Sequence, residues 1–235
     1  MSTVSTEEYA CPPSWHGACI GRYRECIVHE GYGISVVLSV CLFVLGMVVN
    51  TFAINFATIH ASNSVTDLIL SNTPSFDVDL LFVYGTFVLS FITILLCLNS
   101  PKSIPFALYS IGLFFLIRSG FVSLTHLAPF EPHTTVDFGV RITKMFFGGD
   151  RFFSGHTGLP FLGALIFWHY PLIRYFYLGG SIFFGTIVLM GHLHYSIDVF
   201  AAFFITHGIY HIALFLFPSA RALFLEEKSV VANVI

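Results

Sequence analysis

Residues 80–98 read LLFVYGTFVLSFITILLCL, nineteen positions without a charge, bounded by Asp79 and Lys102. As an α-helix rising 1.5 Å per residue, such a run spans the ~30 Å hydrocarbon core of a bilayer. It is apolar throughout, with none of the in–out alternation of a membrane β-strand, so a β-barrel is excluded. The chain around it has the same character. Of 235 residues, 56% are hydrophobic, 10% are charged and 28 are Phe. Mean hydropathy is +0.83. An average soluble domain carries about 25% charged residues, and a chain this poor in charge could not cover a water-facing surface. A soluble enzyme and a disordered chain are therefore excluded. The net charge of −3 offers no basic footprint for nucleic acid.

The few charges act as rulers. Charge-poor intervals predict six helices, at about 33–59, 80–98, 104–127, 155–170, 175–190 and 195–217. Arg118 is the one charge well inside them besides Asp198 near the start of the sixth. The expected fold is all-α, a polytopic membrane protein of six transmembrane helices with both termini on one side. Residues 1–30 form an amino-terminal segment, 31–218 the membrane domain and 219–235 a tail. On the terminal side lie Arg22, Arg24, Lys102, Arg174, Arg221 and Lys228, against Arg141, Lys144 and Arg151 on the other. Six against three predicts cytoplasmic termini. No apolar core of a cleavable signal stands in the first 30 residues. Three of the five cysteines, Cys11, Cys19 and Cys26, fall in that segment without zinc-type spacing. They read as free thiols.

Ionisable residues are costly in a bilayer, so those near span ends call for a reason. Two stretches stand out: Gly148-Gly149-Asp150-Arg151-Phe152-Phe153-Ser154-Gly155-His156-Thr157 and Gly191-His192-Leu193-His194-Tyr195-Ser196-Ile197-Asp198-Val199. His194 and Asp198 are i and i+4, which on one helix places them a turn apart on one face. A carboxylate there can fix the tautomer of an imidazole. Ser154 is a residue type suited to cap a helix carrying His156. Two crossings separate the starts of the fourth and sixth spans, so both begin at the same membrane face. Arg118, two-thirds along the third span, approaches that level. Two histidines, a carboxylate and a cation at helix N-termini suit a phosphate ester. The helix ends and the cation hold the anion. One histidine attacks phosphorus and the other protonates the leaving oxygen.

At these residues the sequence resembles the sphingomyelin synthase-like branch of the type 2 phosphatidic acid phosphatase superfamily. Gly149-Asp150 followed by Phe153-Ser154-Gly155-His156-Thr157, and His194-Tyr195-Ser196-Ile197-Asp198-Val199, carry the likeness. It extends over about residues 104–217. The broader superfamily has an arginine six residues before the later histidine, where this chain has Val188. The resemblance implies His194 as nucleophile, Asp198 as its orienting carboxylate and His156 as acid and base. It implies a phospho-histidine intermediate and no metal or cofactor. The expected activity is transfer of phosphocholine or phosphoethanolamine from a membrane glycerophospholipid to ceramide or diacylglycerol. The alternative is a lipid phosphatase or phospholipase C-type hydrolase on the same residues. The site is expected on the lumenal, extracellular or periplasmic side, and the protein as a monomer or a homo-oligomer.

Substrate contacts are expected from Arg118, Asp150, Ser154 and Glu131, with Asp150 suited to an ammonium head group or to capping its own loop. Arg141, Lys144 and Arg151 could hold anionic head groups at the interface. His207 and His211 are also i and i+4, but no third ligand is visible, so no metal site is expected. Gly179-Gly180 suits close helix packing.

Overall fold

The computed structural model describes residues 31–130 and 153–232, together with residues 23, 24, 26, 28 and 29, with side chains described up to residue 226. The described residues form helices and no strand. The helices are α1 (Tyr32–Ile59), α2 (Asp79–Asn99), α3 (Ile104–Leu124), α4 (Gly155–Ile166), α5 (Pro171–Met190), α6 (Ser196–Leu216) and α7 (Pro218–Ala232). Five segments are long and apolar enough to cross a membrane: α1, α2, α3 with its preceding turn from Pro101, α5 and α6. Their outer faces present Val37, Val44, Phe87, Phe91, Phe183 and Phe204. So large an exposed apolar surface needs lipid around it, and the chain is an integral membrane protein.

The expected fourth span differs. Its helix, α4, has 12 residues and is about 18 Å long at 1.5 Å per residue, short of the hydrocarbon thickness. Phe167 closes it, and Pro171 begins α5, with Tyr170 in the extended backbone that a following proline favours. Nine of its residues are buried, including Thr157, Leu162 and Ala164. A helix buried all round reads apolar all round, so α4 is the core of the bundle rather than one of its lipid-facing walls.

Two glycines set the tightest crossing. A Cβ on Gly112 would lie 2.9 Å from the backbone of Leu42, and one on Gly46 would lie 2.6 Å from the carbonyl oxygen of Gly112. Only glycine on both sides lets α1 and α3 approach so closely. The two helices run parallel. Tyr32 Oη donates to the Pro101 carbonyl (2.9 Å) at one end, and Ser62 Oγ to the His126 carbonyl (2.7 Å) at the other. Between them Ala53, Ile54 and Ala57 pack on Val122. On the other side of α4, the Tyr177 ring of α5 lies against Gly163, and Ser181 Oγ donates to the Thr157 carbonyl (2.7 Å).

The expected tail is helical from Pro218 and joins the bundle. Ala220, Leu223 and Phe224 are buried. Arg221 Nη1 donates to the Ile166 carbonyl at 3.1 Å, satisfying a carbonyl at the last turn of α4, and its guanidinium lies over Phe106 and Phe224. The first turns of α7 therefore pack on the membrane helices. At the same end, Arg174 stacks between Trp168 and Tyr175, 4.7 Å from each ring centroid. Such rings with a cation suit a membrane–water interface.

Candidate active site

The N-termini of α4 and α6 meet. The Ser154 N–H donates to the Asp198 carbonyl at 3.1 Å, which joins the two motifs 44 residues apart through their backbones. Ser154 is the N-cap of α4, its Oγ accepting the Thr157 N–H at 3.3 Å. The next two residues are Gly155 and His156. The His156 ring packs on Phe82 of α2, centroids 4.3 Å apart.

His194 and Asp198 are brought together, but not as two positions on one helix. Helix α6 starts at Ser196, and His194 stands ahead of its N-cap, Tyr195, whose backbone is extended (φ −68°, ψ 155°). Asp198 is the third helical residue. Its Oδ2 accepts the Tyr195 N–H at 3.0 Å and lies 3.6 Å from His194 Nδ1. The carboxylate thus caps the helix and faces the imidazole at once. The capping bond holds the chain out of helical geometry at Tyr195, which corrects the one-helix expectation. A separation of 3.6 Å is an ion-pair distance, longer than a hydrogen bond. With Nδ1 turned to Asp198, Nε2 is the nitrogen available for chemistry. Asp198 is fully buried, and Oδ1 has no hydrogen-bond partner among the described residues.

Arg118 of α3 completes the cluster. It is 2% exposed. Nη1 donates to Asn50 Oδ1 of α1 at 2.9 Å, and Nε to the Phe153 carbonyl at 3.3 Å. A Cβ on Gly155 would lie 3.2 Å from Arg118 Nε, so glycine at the start of α4 makes room for the guanidinium. Arg118 and His194 are electrostatic neighbours of His156, and Asp198 is one of Arg118. His156, His194, Asp198, Ser154 and Arg118 therefore share one site. Asp150 and Glu131 lie outside the described residues, as do His133, Arg141, Lys144 and Arg151. His207 and His211 are far down α6 and outside the site. Among the described residues no three His, Cys, Asp or Glu side chains converge as metal ligands.

Backbone conformation marks the same place. Among the described residues, Phe153 (φ 25°) and His192 (φ 52°) are the non-glycine residues with positive φ. Each stands within three residues of a site histidine. Left-handed backbone is costly for such side chains and persists where surrounding contacts impose it. His192 is held by a contact from Nε2 to the Thr73 carbonyl at 3.1 Å.

Two residues of the site's support were not singled out by sequence. Asn50 is an uncharged polar residue in a long apolar run, invisible to a reading based on charge. Asp67 lies in the loop between α1 and α2. Its Oδ2 accepts the Ser196 N–H (2.7 Å) and Oγ–H (2.8 Å), while Oδ1 accepts the N–H groups of Ile69 (2.9 Å) and Leu70 (3.1 Å). It ties the loop between α1 and α2 to the first residue of α6, two positions from His194. Tyr195 Oη adds to that tie, accepting from Val65 N–H (3.2 Å) and donating to the Ala128 carbonyl (2.8 Å).

Burial acts to raise the Asp67 pKa, but hydrogen bonds from Leu70, Ser196 and Ile69 outweigh it and hold the carboxyl below its ordinary value. A depressed folded-state pKa contributes stability above the unfolded value, about 3.9, and loses it as pH falls through the folded value. Asp67→Ala is expected to cost about 3 kcal/mol, the scale of hydrogen bonds to a charged group. The gap between wild type and Asp67→Asn should narrow as pH falls below about 4. Thermal unfolding in detergent across the acidic range checks both. A gap independent of pH would show that the charge of Asp67 is not what matters.

With this geometry in view, no family model, no curated protein and no solved structure matches the chain.

Proposed function

We propose that the protein is a lipid head-group phosphotransferase working through a phospho-histidine, in the manner of sphingomyelin synthase-like enzymes. The observation that carries this reading is the meeting of two helix N-termini, with the Ser154 N–H on the Asp198 carbonyl at 3.1 Å, beside a buried arginine. The positive dipole ends of two helices and a guanidinium are proposed as a cradle for the non-bridging oxygens of a phosphate. The 3.6 Å contact of His194 with Asp198 supports His194 as the group that becomes positively charged in the reaction.

In the first step, His194 Nε2 attacks phosphorus and the bond from phosphorus to the glyceride oxygen breaks. The leaving oxygen takes a proton from His156. Asp198 stabilises the imidazolium-like His194 adduct. In the second step, a ceramide or diacylglycerol hydroxyl gives its proton to His156 and attacks phosphorus, and the N–P bond breaks. Asp150 and Glu131 are proposed to meet the head group from the loop before α4. The proposed topology has six membrane helices, with short α4 as the fourth inside the ring of the other five. Both termini are proposed to be cytoplasmic, with the site on the lumenal, extracellular or periplasmic side. Hydrolysis is the same mechanism with water as the second attacker.

The test uses pure protein in liposomes containing phosphatidylcholine, phosphatidylethanolamine and ceramide, with products read by mass spectrometry. A new phospho-sphingolipid, or exchange of head groups between diacylglycerols, is the expected result. Diacylglycerol with free phospho-head group would replace transfer by hydrolysis. No turnover of any phospholipid would remove both.

A further inference from the structure

His207 and His211 belong to α6 but play no part in the site above. Their Nε2 atoms are 3.3 Å apart. Both residues are exposed, on the outward face that also carries Phe200, Phe204 and Phe215. In a membrane-spanning helix that face meets lipid, where polar side chains are rare unless something covers them. One shared N–H between the two rings leaves most of their polarity facing hydrocarbon.

The separation has a second meaning. Two imidazole nitrogens bound tetrahedrally at about 2.0–2.1 Å to one zinc-class ion stand roughly 3.3–3.4 Å apart. The separation of the two Nε2 atoms thus matches the bite of such a chelate. Two ligands do not make a closed tetrahedral site, and within one chain no third ligand joins them among the described residues. A two-fold axis beside α6 supplies the other two, because it brings an identical pair to the same point. Gly208, between the histidines in sequence, allows the approach: a Cβ there would meet nothing within 4 Å, so a second helix backbone can come close on that side.

We propose that His207 and His211 form half of a four-histidine site for a zinc-class divalent ion, completed by a second copy of this chain packed α6 against α6. Each ring uses its Nε2 lone pair and keeps its proton on Nδ1. The ion covers the four polar edges and joins the two copies, at a level of the membrane away from His194 and His156. The proposal stands whether or not the phosphotransferase reading holds.

Co2+ is the probe, titrated into tag-free, metal-stripped full-length protein in nanodiscs. The expected result is one Co2+ per two chains with the intense visible absorption of tetrahedral cobalt, displaced by Zn2+. His207→Ala and His211→Ala are each expected to weaken binding by more than the roughly 10–100-fold that follows loss of a ligand's hydrogen-bond partner. Both side chains are exposed, so unfolding temperature without metal should be unchanged, which separates ligand loss from misfolding. Zn2+ should also increase the cross-linked dimer in wild type and not in the variants. No tetrahedral spectrum, or one retained in both variants, would overturn the site. One ion per monomer would overturn the role of the second copy.

Discussion

His194→Ala is expected to lower head-group transfer by about 10^4-fold or more, the scale on which removing a covalent nucleophile acts. At about 1.4 kcal/mol per tenfold, that is more than 5 kcal/mol of transition-state stabilisation. The fold should survive, because the helix start is secured elsewhere. Asp198 Oδ2 caps Tyr195, and Asp67 holds Ser196. The decisive comparison is with His156→Ala. The proposed role of His156 is to protonate the leaving oxygen, so a donor with a nitrophenolate leaving group, which needs no proton, should restore much of the first step. The same donor should not rescue His194→Ala, because the bond to phosphorus still cannot form. Rates with natural and nitrophenyl phosphodiester donors check this. Equal rescue of both variants would reverse or remove the assigned roles.

The second large effect concerns the scaffold. Gly112→Ala puts a Cβ 2.9 Å from the carbonyl carbon and oxygen of Leu42 and from the Phe43 nitrogen, all backbone atoms. A side chain can swing away from an intruding methyl; a helix backbone cannot. The crossing must open, and overpacking of this kind costs about 3 kcal/mol. Opening also strikes the site. Asn50 lies one turn beyond Gly46 on α1, and its Oδ1 holds Arg118 Nη1 at 2.9 Å. Separating α1 from α3 lengthens that bond and frees the guanidinium to leave Gly155. Gly112→Ala is therefore expected to lower both the unfolding temperature in detergent and turnover. Gly120→Ala is the control on the same helix, because its Cβ would meet nothing within 4 Å, and it should leave both unchanged. A Gly112→Ala protein as stable and active as that control would contradict the close crossing.

How far these features could be read from sequence varies with their physical cause. Long apolar runs between charges mark helices well, and α1, α2, α3, α5 and α6 each begin or end within a few residues of such a charge. The end of α4 was not legible, because Phe167-Trp168-His169-Tyr170 continues the apolar run while the chain turns ahead of Pro171. The pairing of His194 with Asp198 was legible from the spacing of four, but its geometry was not. Tyrosine is not a typical N-cap, and nothing local shows that Asp198 would use an oxygen on the Tyr195 N–H. The convergence of His156 with His194 was expected from counting crossings of a six-span chain; what joins their motifs is the backbone bond from Ser154 to Asp198. The roles of Asn50 and Asp67 depend on partners 68 and 129 residues away, and no local pattern carries such information.

The central claim is that a phospho-head group passes through His194. Its most direct measurement is mass spectrometry of the protein after brief exposure to phosphatidylcholine or phosphatidylethanolamine without acceptor, quenched at alkaline pH, where phosphoramidates survive. The expected result is a mass increase of one phospho-head group, mapped to His194, absent from His194→Ala and discharged by ceramide or diacylglycerol. Turnover of the donor with the adduct on another residue, or with no adduct while His194→Ala remains active, would contradict it.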